Sequence, residues 1–191
     1  MSAPIVISSS QAEADTRRWL ERAVIGLNLC PFAKAVYVRG QIHNAVYLPN
    51  DEADLLDALV AEAEALAANS PADRDTTLLI APNTLADFLD FNDFTARAEH
   101  RLAREGFEGE FQLASFHPHF QFAGTDAEDI TNATNRAPYP TLHLLREDSV
   151  SRAVDAFPDA EAIFGRNVQT LEALGPAGWD ALDVGRGGAA R

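Results

Sequence analysis

The chain carries one cysteine, Cys30, among 191 residues. That excludes an internal disulfide and matches the usage of a reducing compartment. Basic residues are scarce as well: 15 Lys and Arg stand against 29 Asp and Glu, a formal net charge of -14. A field of that sign repels nucleic-acid backbones, and no basic stripe with interleaved aromatics offsets it. No apolar run approaches the roughly 18 residues that cross a bilayer, so no membrane partner is expected. Residues 1–10 lack the basic start and long apolar stretch of an export signal. A cytoplasmic location is expected on these grounds. Asn132-Ala133-Thr134 matches a glycosylation acceptor, which carries no weight without a secretory route.

Common catalytic signatures are missing too. There is no Gly-rich phosphate loop, dinucleotide fingerprint, nucleophile elbow around serine or paired-cysteine zinc motif. P-loop phosphoryl transfer is thereby excluded, and a Rossmann cofactor is not expected.

What is present is globular: 47% of the residues are apolar and 23% charged, enough to bury one core. Ser10-Gln11-Ala12-Glu13 reads as a capping box, followed by Trp19, Leu20, Ala23, Val24 and Leu27 at helical spacing. Asn28 and Pro31 end that helix. Residues 41–48 read as a strand, and Asp51 opens a helix burying Leu55, Leu56, Leu59, Val60, Ala63 and Leu66. Residues 76–81 lack alternation, which suits a central strand covered on both faces. A third helix is expected from Thr84, with Phe88, Phe91, Phe94, Ala98 and Leu102 inward and Gly106 at its end. Residues 110–117 alternate, with Phe111, Leu113, Ser115 and His117 on one face.

Residues 118–140 then show neither period, about twenty residues of a kind usually functional or mobile. A strand at 141–146 follows, with Thr141, His143 and Leu145 on one face. Two helices close the pattern, at 148–157 and about 159–174. The fold class expected is α/β: a single domain with a roughly four-stranded mixed sheet covered by helices, three strands being parallel. Its bounds are 11–175, with a flexible N-terminus at 1–10 and a flexible C-terminal tail at 176–191.

Of the five histidines, His43 and His100 are background. His117 closes one strand and His143 lies in the next. If those strands pair, His117, His119 and His143 converge at the loop mouth and could hold a divalent metal. Asp126 or Asp129 could add a carboxylate. The plainer alternative uses the imidazoles as structural hydrogen-bonding groups, and a third uses one as a metal-free general base. Cys30 precedes Pro31 at the start of a short helical turn, where peptide dipoles, with Lys34 nearby, would favour a thiolate. Simple burial is the alternative. Asn132, Asn135 and Arg136, with Tyr139 after them, could grip a small anionic molecule, and Arg146 or Arg166 could reinforce the grip. An internally bonded loop, with Arg136 on Asp126 or Asp129, is the other possibility.

Three segments together resemble one known family. They are 26–33 (Gly-Leu-Asn-Leu-Cys-Pro-Phe-Ala), 115–122 with Ser-Phe-His-Pro and Phe-Gln-Phe, and 132–146 with Asn-Arg-Ala-Pro-Tyr-Pro-Thr-Leu-His-Leu-Leu-Arg at its core. The sequence is similar over nearly its whole length to the bacterial and organellar family catalogued as domain of unknown function 1415. It departs at Ala137, where serine is usual. The resemblance implies signature positions at Cys30, His117, Asn135, Arg136, Tyr139 and His143, and no reaction.

Three functions stay open. One is an enzyme, a His-dependent or metal-dependent hydrolase or lyase acting on a small anionic metabolite. In it His117 or His143 is base or ligand, and Cys30 is nucleophile only if it lies within reach of one of those imidazoles. The second is a non-catalytic small-ligand-binding or regulatory module. The third is a structural or interaction protein with an internally satisfied polar loop. Oligomeric state is not legible.

Overall fold

Helix α1 (Ser9–Trp19) begins where a hydroxyl satisfies an amide that has no helical partner. Ser8 is extended, and its Oγ accepts from the Gln11 amide at 3.2 Å. The cap is therefore two residues earlier than the Ser10 box. Past Trp19 the same helix continues in π geometry over Leu20–Ile25, with Leu20, Ala23 and Val24 buried. Gly26 follows because a Cβ there would lie 2.3 Å from the Arg22 carbonyl oxygen. The short helix α2 (Ala33–Val38) comes after Pro31.

This computed structural model describes residues 7–157 and 159–187; most of the flexible N-terminus expected at 1–10 lies outside them. Among the described residues four strands form one sheet in the order β1-β2-β4-β3. These are β1 (Ile42–Val46), β2 (Thr76–Ile80), β3 (Phe111–Phe116) and β4 (Thr141–Arg146). Strands β1, β2 and β3 run the same way, as expected. However, β4 enters antiparallel between β2 and β3, leaving β1–β2 as the one adjacent parallel pair. β2 is buried at every position, the signature of a central strand.

Helices α3 (Glu52–Ala68) and α4 (Phe88–Arg104) cover one face. Leu55, Leu59, Ala63, Leu66, Phe91, Phe94, Ala98 and Leu102 pack there on Leu79, Phe111, Leu142 and Leu144. Asp51 and Asp87 cap the two helices, each cap stabilising by about 1 kcal/mol. The α4 start at Phe88 is thus four residues later than expected from Thr84. α1 and its π extension cover the opposite face, with Ala12, Trp19, Leu20 and Ala23 on Leu78 and Ile80.

The long β3–β4 connection is not aperiodic throughout, since Ile130–Asn135 form a 3-10 helix. After β4 come α5 (Glu147–Asp155) and α6 (Ile163–Ala181). The last helix passes its expected end at Leu174. Gly175 at φ 67°, followed by Pro176, breaks it into two pieces rather than stopping it. Val184 beyond it is buried. Among the described residues no helix is long and apolar enough to cross a membrane.

Candidate functional site

The antiparallel register decides where the histidines go. Leu113 faces Leu144 and Ala114 faces His143, so odd positions of β3 share a sheet face with even positions of β4. His143 therefore lies on the α1 face, opposite Leu78 of β2. Its Nε2 meets Thr76 Oγ1 at 2.6 Å, and that hydroxyl donates its proton to the Leu144 carbonyl at 2.6 Å. Thr76 must then accept from His143, which fixes the Nε2–H tautomer. Burial lowers the His143 pKa to about 4, so the ring is neutral near pH 7.

His117 goes to the other face. It is fully buried, with ring centroids 5.5 Å from Phe88 and 5.0 Å from Phe91 of α4. Its Nε2 donates to the Leu85 carbonyl at 3.0 Å, and its Nδ1 accepts the His119 amide at 3.0 Å. Both nitrogens are occupied. Burial lowers its pKa to about 4; the hydrogen bond to the Leu85 carbonyl works against that shift, while His119 and Arg186 add to it. Leu85 holds φ at 55°, a conformation a leucine rarely adopts.

The proposed convergence of His117, His119 and His143 is therefore absent. His117 and His143 are separated by the sheet, and His119 is exposed beside His117. Among the described residues, no three His, Cys, Asp or Glu side chains are placed to hold a metal.

The polar loop is turned upon itself. Asn132, fully buried, accepts from the Phe122 amide and the Thr125 hydroxyl, and donates to the Asp126 carbonyl. Arg136 donates from Nε to the Phe120 carbonyl and from Nη2 to that of Ala127, with no carboxylate in its grip. Asn135 donates to the Ser115 carbonyl and accepts the His117 amide. Arg146 is at the far end of β4, donating to the carbonyls of Leu66, Asn69 and Arg74. It does not reinforce the loop, nor does Arg166, which pairs with Asp159.

Tyr139 belongs to a different network. Its hydroxyl donates to Asp15 Oδ2 at 2.6 Å, and the Gly187 amide donates to the same oxygen at 2.9 Å. Arg18 and Gln11 donate to Oδ1. Arg18 also reaches the carbonyls of Asp183 and Gly185, tying residues 183–187 to α1. Burial pushes the Asp15 carboxyl up, yet the hydrogen bonds from Gly187, Tyr139, Arg18 and Gln11 together hold it below its ordinary value. Neither Asp15 nor Arg18 was singled out from sequence. The readable signal was two opposite charges, three residues apart, on the apolar side of a helix holding Ala12 and Trp19.

Cys30 does sit before α2, and the Phe32 and Ala33 amides point at its sulfur. Burial outweighs them and raises the thiol pKa above its ordinary value. The geometry favours a protonated, packed cysteine rather than an activated one.

Two surface hollows lie away from all these groups. One, of about 290 Å³, is beside β1 and lined by Arg17, Leu20, Tyr37, Gly40, Ile42 and Asn44. The other, of about 500 Å³, runs between α4 and the outer edge of β3.

Compared with known proteins, residues 11–181 match the model of the family described as Protein of unknown function (DUF1415), and the chain belongs to that family. No curated protein and no solved structure matches it.

Proposed function

We propose that the protein is an interaction module whose polar segment 117–136 is a scaffold held mainly by its own hydrogen bonds rather than a reaction centre. The observation that carries this reading is where the polar atoms are spent. Both His117 nitrogens, both ends of the Asn132 carboxamide, the Asn135 side-chain N–H, and the Nε and Nη2 of Arg136 are bonded to the protein's own backbone or loop side chains. A general base needs a free lone pair within reach of substrate; His143 Nδ1 keeps one, but on a ring that burial withdraws from water. An anion anchor needs guanidinium donors aimed outward. An internally satisfied network instead rigidifies what it holds, here the start of β4 and the edge of β3.

The competing reading is a pocket for a small anionic metabolite built on Arg136. Thermal melting in millimolar phosphate, citrate and small dicarboxylates, against sodium chloride of equal ionic strength, separates the two. The interaction reading expects no saturable rise in Tm. A saturable rise lost in Arg136→Lys overturns it in favour of a small-molecule site. Arg136→Lys is chosen because an ammonium cannot reproduce the planar multi-donor grip.

A further inference from the structure

β3 is the last strand of the sheet, paired on one side by β4. Alternation along an antiparallel ladder turns every second residue's N–H and C=O outward. The Glu147 amide bonds the Glu110 carbonyl, so even positions face β4 and odd positions face out. The chain covers this outer edge at its two ends. The Phe111 amide donates to the Phe107 carbonyl, the Ser115 carbonyl accepts from the Asn135 side chain, and the His117 amide donates to the Asn135 carbonyl. Between those ends, the Phe111 carbonyl, the Leu113 N–H and C=O, and the Ser115 N–H have no partner among the described residues.

Edge strands are commonly protected by lysine, proline or a bulge. Phe111-Gln112-Leu113-Ala114-Ser115-Phe116 has neither lysine nor proline, and its register with β4 is unbroken. Beside the open stretch lies the groove of about 500 Å³, its apolar wall including Ala96, Leu102, Phe107 and Leu113. Its carboxylates outnumber its one basic side chain, His100. Glu99, Glu108 and Glu147 line it, and none is in an ion pair among the described residues.

From these observations we propose that the β3 edge accepts an extended, basic segment of a partner protein as a fifth strand, flanked by α4. The proposal rests on the interaction reading above and names its partner by chemistry. Main-chain bonds to Leu113 and Ser115 supply affinity, and alternate side chains of the guest enter the groove. Lysines or arginines of the guest meet the carboxylates of Glu99, Glu108 and Glu147. The Asn135 carboxamide closes the track and sets where the guest ends.

The test begins with amide exchange on the full chain. Leu113 and Ser115 should exchange fast while Gln112, Ala114 and Phe116 are protected. Random dodecapeptides displayed on phage are then selected against the full chain. The expected winners are rich in lysine and arginine, slow the exchange of Leu113 and Ser115, and bind more weakly as salt rises. Leu113→Pro, which removes an outward N–H that an edge strand can spare, should weaken them at least tenfold. Glu99→Lys with Glu108→Lys, both exposed and free to change without refolding the core, should do the same. Winners that are acidic or neutral, that ignore both variants, or that leave the two amides unprotected overturn the proposal, as does a selection with no winners. Those failures leave the interaction reading standing, because that reading is judged by the anion melts.

Discussion

Tyr139 donates to Asp15 at 2.6 Å across 124 positions of chain, with both side chains closed to solvent. This bond joins the entry to β4 with α1, and the Gly187 amide on the same carboxylate oxygen adds the end of the described chain. Removing the hydroxyl in Tyr139→Phe leaves a buried carboxylate short of one donor. The expected cost is about 1–3 kcal/mol in urea unfolding. A double-mutant cycle with Asp15→Asn should show coupling of roughly 0.5–3 kcal/mol. Additive losses would mean that the two groups do not act together.

Acid should weaken the fold in two stages. His117 and His143 have folded pKa values near 4, below the ordinary 6.5. The unfolded chain therefore binds their protons first as pH falls. Their contribution is full above about pH 6.5 and is lost progressively down to pH 4. At about 1.4 kcal/mol per pH unit, His117 alone accounts for on the order of 3 kcal/mol. Asp15 follows the same sign at lower pH, since its folded value is depressed. Urea midpoints between pH 7 and pH 4 check the first stage. A flat profile there would show that these imidazoles are not withdrawn from water.

Much of this architecture was legible because periodicity reports local burial. The β-branched and aliphatic run of β2, without alternation, announced a central strand, and the spacing of Leu55, Leu59 and Ala63 announced the inner side of α3. Strand order was not legible, because β4 returns from a long loop to separate β2 from β3. That return also explains the failed histidine cluster. Alternation correctly grouped His117 with Phe111 and His143 with Thr141, but only the register reveals that those two sets face opposite ways. The Asn and Arg residues of the loop were legible as hydrogen-bonding groups, but not whether they would grip an anion or one another. Their partners are mostly backbone groups brought close by turns, which no side-chain pattern encodes.

Asn132 is the group on which loop order should depend most. Its carboxamide serves Phe122, Thr125 and Asp126 from a fully buried position. Asn132→Ala strands at least one amide and one carbonyl, at an expected cost of about 2 kcal/mol or more. The loss should be local before it is global. Limited proteolysis should therefore nick the variant between 118 and 130 at temperatures where the parent stays intact. Asn132→Asp keeps the acceptor and loses the donor, so it should fall between the two. Equal protease resistance in all three would remove Asn132 as the organiser of the loop.

Cys30 separates the packed reading from the catalytic one with a single reagent. Its sulfur receives the Phe32 and Ala33 amides, yet burial dominates and raises the thiol pKa. Reaction with a disulfide reagent requires thiolate and access together. At pH 7 the native protein should react roughly tenfold or more slowly than the same chain in denaturant. Cys30→Ala should lose stability through the packing it shares with Ala33 and Val24, and Cys30→Ser should lose more by placing a hydroxyl there. A native rate above that of the unfolded chain would reverse the argument. It would mean that the two amides outweigh burial, and it would return Cys30 to the list of candidate nucleophiles.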